Sequence, residues 1–152
     1  MRIRRLDLQA YGPFTGRTIE FASRQPGLHI IYGVNEAGKS SALRALKALL
    51  YGFPDRTPDN FQHPNDQLLV GGCLRNEDGV DIAFQRRKRR KGDLLDPDGN
   101  TLDPSALAAY LPATEPALFE SLYGIDHETL VEGGEDILAQ KGEAGQALFA
   151  AG

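Results

Sequence analysis

The chain has 152 residues, 41% of them apolar and 25% charged, a composition that suits a globular protein with one ordinary domain and a real core rather than two full domains. Its first twenty residues carry Arg2, Arg4, Arg5, Asp7, Arg17 and Glu20 with no unbroken apolar run, so neither a secretory signal nor a membrane span is read there and the expected location is the cytoplasm. The net charge of −4 is uneven: Arg86, Arg87, Lys88, Arg89, Arg90 and Lys91 are six of the 17 basic residues in one run, whereas from Leu111 onward eight acidic residues face a single lysine.

Leu6, Leu8 and Ala10 alternate with Asp7 and Gln9, and Ile19 and Phe21 alternate with Thr18 and Glu20, with Gly12-Pro13 and Gly16 between the two runs. This predicts two half-buried strands joined by a turn. Pro26-Gly27 then opens Leu28-His29-Ile30-Ile31-Tyr32, a short apolar run expected for a strand covered on both faces in the middle of a sheet. From Lys39 the spacing turns helical, with Leu43, Leu46 and Leu50 on one face and Ala42 and Leu49 beside it, ending at Gly52 with Pro54 beyond.

Pro54 to Gln67 is rich in Pro, Asp and Asn and reads as a loop. Leu68 to Arg75 and Val80 to Arg86 are predicted strands around Asn76-Glu77-Asp78-Gly79, and Asp96-Pro97-Asp98-Gly99-Asn100 is a second turn signal. Cys73 falls in the first of these strands; as the lone cysteine it excludes an internal disulfide and reads as a small apolar residue. Asp103-Pro104 starts a predicted helix that Pro112 stops, Thr114 caps a second running to Gly124, and Asp126 caps a short third one.

Between the predicted buried strand and the helix lies Gly33-Val34-Asn35-Glu36-Ala37-Gly38-Lys39-Ser40, followed by Ser41. The pattern GxxxxGK[S/T] is a phosphate cradle: its glycines let backbone N–H groups curl around phosphate oxygens, and the helix N-terminus adds partial positive charge. Gly33, Asn35, Glu36, Ala37, Gly38, Lys39, Ser40 and Ser41 are therefore the expected nucleotide-binding residues, with Lys39 reaching the outer phosphates and the Ser40 hydroxyl holding Mg2+ beside ATP. His29, His63 and His127 show no metal-ligand spacing. Leu122-Tyr123-Gly124-Ile125-Asp126 is like the apolar strand ending in aspartate that places magnesium in P-loop enzymes, but Gly124 interrupts it and the preceding Pro116 to Tyr123 stretch reads as helix.

Leu6 to Phe14, Ile19-Glu20-Phe21 and Gly27 to Ser41, together with Phe119 to His127 and Gly145 to Gly152, resemble the N-terminus of SMC-like ATPases of the SbcC type, and among them the bacterial YhaN-like proteins. The resemblance implies an α/β fold: a P-loop NTPase, here the N-terminal half of an ABC-type ATPase head with an antiparallel β subdomain and a short-helix C-terminal segment. Residues 1–152 then form a single lobe. Residues 1–53 supply strands, phosphate loop and its helix, 54–103 a loop and β-hairpins, and 104–152 a helical segment leading toward a coiled coil. By the same resemblance the partners are a C-terminal lobe of the same protein carrying the acidic strand end, a second ATPase head that closes over ATP, and a nuclease of the SbcD type. Asp126 or His127 stands where that family presents a glutamine that senses magnesium, though Asp126 serves equally as a helix cap. Gly12-Pro13 stands where many relatives have an Arg-Ser pair, which removes the basis for a phosphate contact from that turn.

The leading expectation is thus a Mg-ATP-binding lobe of a DNA-processing ATPase, inactive in hydrolysis by itself. A complete small P-loop kinase is the rival enzyme, disfavoured because two strands precede the loop and no arginine-bearing lid follows. A non-hydrolysing nucleic-acid-binding module would rest on the basic run alone. That run, Arg86 to Lys91, is the candidate DNA-backbone contact, with alternation along a strand placing about half its charges on one face.

Overall fold

The computed structural model describes residues 1–21, 27–111 and 130–131. The chain divides into two compact units, Met1–Thr114 and Glu115–Gly152. In the second, Leu130 and Val131 are described, both helical. The helices expected from Thr114 and Asp126, the Leu122–Asp126 run and His127 lie outside the described residues.

The first unit is built on one sheet and one long helix. Strands β1 (Arg2–Tyr11) and β2 (Phe14–Glu20) form the hairpin expected around Gly12-Pro13. Gly12 takes φ 53°, a left-handed conformation, and a Cβ there would lie only 3.0 Å from Ser41 Oγ, so both the turn and its close approach require glycine. Strands β3 (Leu69–Arg75) and β4 (Asp81–Arg87) pair around the Asn76–Gly79 turn, where the Asn76 side-chain oxygen accepts the Val80 N–H at 2.9 Å. A short β5 (Leu94–Leu95) follows, closed by the Asp96 turn, whose carboxylate accepts the N–H groups of Asp98 and Asn100. The sheet order is β2-β1-β3-β4-β5 and every pairing is antiparallel.

Helix α1 (Lys39–Tyr51) lies against β1, β3 and β4. Its end is the predicted one: Gly52 donates to Ala48 O at 2.9 Å with φ 94°. Its buried face is not the one the leucine spacing suggested. Ala42, Ala45, Ala48, Leu49 and Leu50 are buried, while Leu43 and Leu46 are half-buried. The reason lies in the sheet: a Cβ at Gly72 of β3 would come within 2.5 Å of Leu49 Cδ2 and 2.7 Å of Arg5 O. With no side chain at Gly72 the helix sits close, and close approach selects its small residues. Leu6, Leu8, Tyr11, Val70, Leu74 and Phe84 complete this core from the sheet. The β1–β3 register shifts between Leu8 and Ala10, which lets Leu8 and Tyr11, three residues apart, both point inward where strict alternation would put them on opposite faces.

Two further expectations change. Leu28–Tyr32 is not a strand, and Leu28, Ile30, Ile31 and Tyr32 are exposed, Tyr32 to 91%. A strand in the middle of a sheet needs neighbours on both edges, and none of the five strands of the sheet pairs with this run. The helix begun at Asp103 is a 3-10 turn, Pro104–Leu107, capped by the Asp103 carboxylate on the Ser105 N–H at 2.8 Å as the sequence predicts. No helix among the described residues is long and apolar enough to cross a membrane.

Candidate phosphate-binding site

The loop from Gly33 to Gly38 leads directly into α1, with Gly38 at the N-cap in a left-handed conformation, φ 87°. No side chain caps this end, so the first N–H groups of the helix, which have no partner inside it, are open to an anion and aligned with the helix dipole. Glu36 holds φ 65°, the one positive value outside glycine among the described residues. Such strain persists where a local structure demands it and is common at ligand clamps. At Gly33 a Cβ would meet the Ala37 methyl at 3.1 Å, and at Gly38 it would meet Phe14 Cζ at 2.6 Å and Pro13 Cγ at 2.8 Å. The β1–β2 turn therefore lies against the loop; Gly38 is required by packing and by its left-handed conformation, whereas a side chain at Gly33 would press on the Ala37 methyl. The Lys39 ammonium is folded over the loop, donating to Gly33 O and Val34 O, each at 2.8 Å. Lys39 and Ser40 are exposed. The structure thus gathers all eight predicted residues at one helix N-terminus.

Ser41 differs from its neighbours. It is buried, and its hydroxyl accepts from Arg44 at 3.2 Å and bonds Asp59, so what it can offer a phosphate is its N–H. Asp59 is the centre of a network the sequence did not reveal. It is fully buried, takes a bidentate pair from Arg44 at 2.6 and 2.8 Å, and its carbonyl accepts the Gly12 N–H at 2.9 Å. Burial pushes its carboxyl up, but hydrogen bonds from Arg44, Ser41 and Tyr11 outweigh that and hold it below the usual carboxylate range. Burial and the Asp59 charge push the Tyr11 phenol well above its ordinary value. Through these bonds the loop after α1, the β1–β2 turn and the first turn of α1 are tied together, and the first turn of α1 carries Lys39 and Ser40.

Within the loop the sequence marked as turn-rich, His63 Nε2 sits 2.9 Å from Phe14 O and 3.1 Å from Thr15 Oγ1, a second tie to the hairpin. A cavity of about 510 Å3 opens between these parts, lined by Pro13, by the phosphate loop and the first turn of α1, and by Phe61. That is within the range of small-ligand sites. Among the described residues no group of three or more His, Cys, Asp or Glu could hold a metal. A magnesium ion here would be held by the Ser40 hydroxyl together with a ligand's phosphates, an arrangement that suits a hard cation which keeps much of its water.

The basic run lies elsewhere and is not spread along a strand. β4 ends at Arg87, and Lys88 to Asp93 form the connection to β5. Arg86 closes the C-terminus of α1, donating to Leu49 O at 2.8 Å and pairing with Asp93 at 2.5 Å. Arg87 donates to Gly92 O, and Lys88 to the carbonyls of Pro54 and Asp55. Arg89, Arg90 and Lys91 are exposed. Half of the run therefore serves the fold, and nothing in the spacing of the six charges distinguishes that half from the other.

The chain matches the model of a family described as AAA domain over residues 1–152. It is 28% identical over 131 residues to the uncharacterized protein YhaN of Bacillus subtilis, covering 83% of this chain and 13% of that protein. It is 31% identical over 99 residues to the DNA replication and repair protein RecF of Symbiobacterium thermophilum, covering 60% of this chain and 26% of that protein. The chain thus spans a small part of the length of either relative.

Proposed function

The chain belongs to the AAA domain family, and from that premise we propose that it is the Mg-ATP-binding N-terminal lobe of an SMC-like ATPase head that works in DNA repair or processing. The observation that carries the reading is the loop itself: an uncapped helix N-terminus, Gly38 at a position only glycine fits with Gly33 closely packed on Ala37, and Lys39 and Ser40 exposed beside a cavity. Lys39 would exchange its loop carbonyls for the outer phosphates, and the Ser40 hydroxyl with those phosphates would hold a magnesium ion, which would supply charge neutralisation at the phosphoryl group. A titration of Mg-ATP into wild type and Lys39→Ala tests this. Binding that Lys39→Ala abolishes with unchanged melting supports it, and equal affinities overturn it.

Hydrolysis requires a second hold on magnesium and a group that orients water. We assign both to parts of a longer protein, a C-terminal lobe and a second head, since the relatives are several times longer than the matched region. The exposed Leu28, Ile30, Ile31 and Tyr32 fit a strand whose neighbours come from that lobe. An SbcD-type nuclease remains the proposed partner of the assembly. RecF is a DNA replication and repair protein, and DNA is the proposed substrate. Its backbone contact on this chain narrows to Arg89, Arg90 and Lys91, the run's exposed members. Neutralising these three should lower the log–log salt slope of DNA binding by about 3, at roughly 0.9 per phosphate contact; an unchanged slope removes them from the interface.

A further inference from the structure

The phosphate loop reads phosphates and leaves the rest of a nucleotide to other residues, and the cavity beside it has a second wall. That wall is Phe61, 68% exposed, facing the same space as Gly38, Lys39 and Ser40, with Pro13 alongside. Singly exposed apolar side chains are ordinary on protein surfaces. What distinguishes this one is how firmly its loop is fixed. Two residues before it, Asp59 is fully buried, paired to Arg44 on α1 and bonded through its carbonyl to Gly12. Directly after it, Gln62 Nε2 donates to Thr15 Oγ1 at 3.3 Å, and His63 is bonded to Phe14 O. Both strings of contacts run to the β1–β2 turn, which itself packs on Gly38 of the phosphate loop. The stretch of chain that carries the ring is thus anchored beside the phosphate cradle, while the ring buries little of its own surface in the fold.

A flat apolar ring on a stretch of chain anchored beside a phosphate site suits one ligand chemistry well: an aromatic base carried on a polyphosphate. We infer that Phe61 is the stacking face for the base of the bound nucleotide, with Pro13 as the adjacent apolar wall, so that the site takes a nucleoside triphosphate in preference to a bare polyphosphate. This rests on the phosphate reading above and extends it to the nucleoside. Stacking recognises the face that every base shares, so it contributes affinity with little choice among bases. With its stretch of chain pre-set by the Asp59 and His63 contacts, the ring also needs little ordering when the ligand arrives.

The test is a calorimetric titration of wild type, Phe61→Ala and Phe61→Tyr with two ligands, Mg-ATP and Mg-tripolyphosphate. Wild type should bind ATP more tightly than tripolyphosphate. Phe61→Ala should weaken ATP roughly tenfold, within the span that base–aromatic stacking reaches, and leave tripolyphosphate affinity and melting temperature unchanged. Phe61→Tyr, which keeps the ring, should retain ATP affinity. If Phe61→Ala weakens both ligands alike or neither, or if wild type binds the two equally, the stacking role is overturned and the phosphate reading stands. If wild type binds neither ligand, the phosphate reading itself fails and the base site fails with it.

Discussion

The run from Leu28 to Val34 is more apolar in sequence than the β1–β2 hairpin with α1, yet it is the run that is exposed while the core of the hairpin and helix is packed. In the hairpin region, Leu6, Leu8 and Tyr11 of β1 and Leu49 and Leu50 of α1 are buried where the two elements pack, and Asp59 and Arg44 pair with each other beside them. In the run before the phosphate loop, Leu28, Ile30, Tyr32 and Val34 are all more than 70% exposed. Apolar periodicity states what a segment requires, and it is silent on whether the partner lies in the same stretch of chain. Where the requirement is met locally, by a hairpin turn or by the helix immediately after the loop, sequence and structure agree.

The sharpest way to break the packed side of this comparison is Asp59→Asn. The change keeps the shape and removes the charge, leaving Arg44 without its bidentate partner. Breaking a buried ion pair costs about 3–5 kcal/mol. The Arg44 side chain is 39% exposed and can turn to water, so the lower end, about 3 kcal/mol, is expected in urea unfolding. A loss under about 1 kcal/mol would mean that the network fastens nothing. The folded Asp59 carboxyl titrates below its ordinary value, so its contribution is present above about pH 4 and fades as the pH falls below that. Wild type and Asp59→Asn should therefore converge in stability under acid.

The second test uses the same network from its other end. Tyr11 is 1% exposed with its phenol raised above the ordinary 10.0 by burial and by the Asp59 charge. Above pH 10 the unfolded chain gives up that proton and the folded chain keeps it, so stability present below pH 10 is lost as pH rises, by about 1.4 kcal/mol per pH unit. Tyr11→Phe should be less steep than wild type by about 1 kcal/mol between pH 10 and 11, where the unfolded phenol is still partly protonated, with the full slope reached above that. Equal slopes would place the phenol in water and separate β1 from Asp59.

What was legible in the sequence follows the same division. Gly52 ending α1, the Asn76–Gly79 and Asp96 turns and the Asp103 cap are local chemistry, each decided by residues within a few positions of one another. The phosphate loop was legible for the same reason, since its glycines, lysine and serine act within one turn. Asp59 was not, because an aspartate in a Pro- and Asn-rich stretch reads as a turn residue, and its partner Arg44 is fifteen positions away on a different element. Phe61 shared that camouflage. The basic run misled differently: six like charges suggest one role, but Arg86 lies beside the helix C-terminus, where the carbonyls of Leu49 and Leu50 accept a guanidinium.

The smallest expected effect tests the exposed side of the comparison. Ile30→Ser and Tyr32→Ser remove large apolar side chains from a run that would be a core strand in any reading of the sequence, and in a packed strand each would cost about 1.5–3 kcal/mol of burial. Ile30 is 79% and Tyr32 91% exposed, so neither should change the unfolding free energy of this chain by more than about 0.5 kcal/mol. The same two substitutions become informative when a C-terminal segment of a longer protein is present. If that segment supplies the neighbouring strands, the complex should weaken by about the burial that is lost, while the isolated chain stays as stable as before. A loss of 2 kcal/mol or more in the isolated chain would show that these side chains are already packed here. The proposal that the phosphate loop rests on a strand completed from outside this stretch would then be wrong, and the chain would be closer to a self-sufficient nucleotide-binding domain.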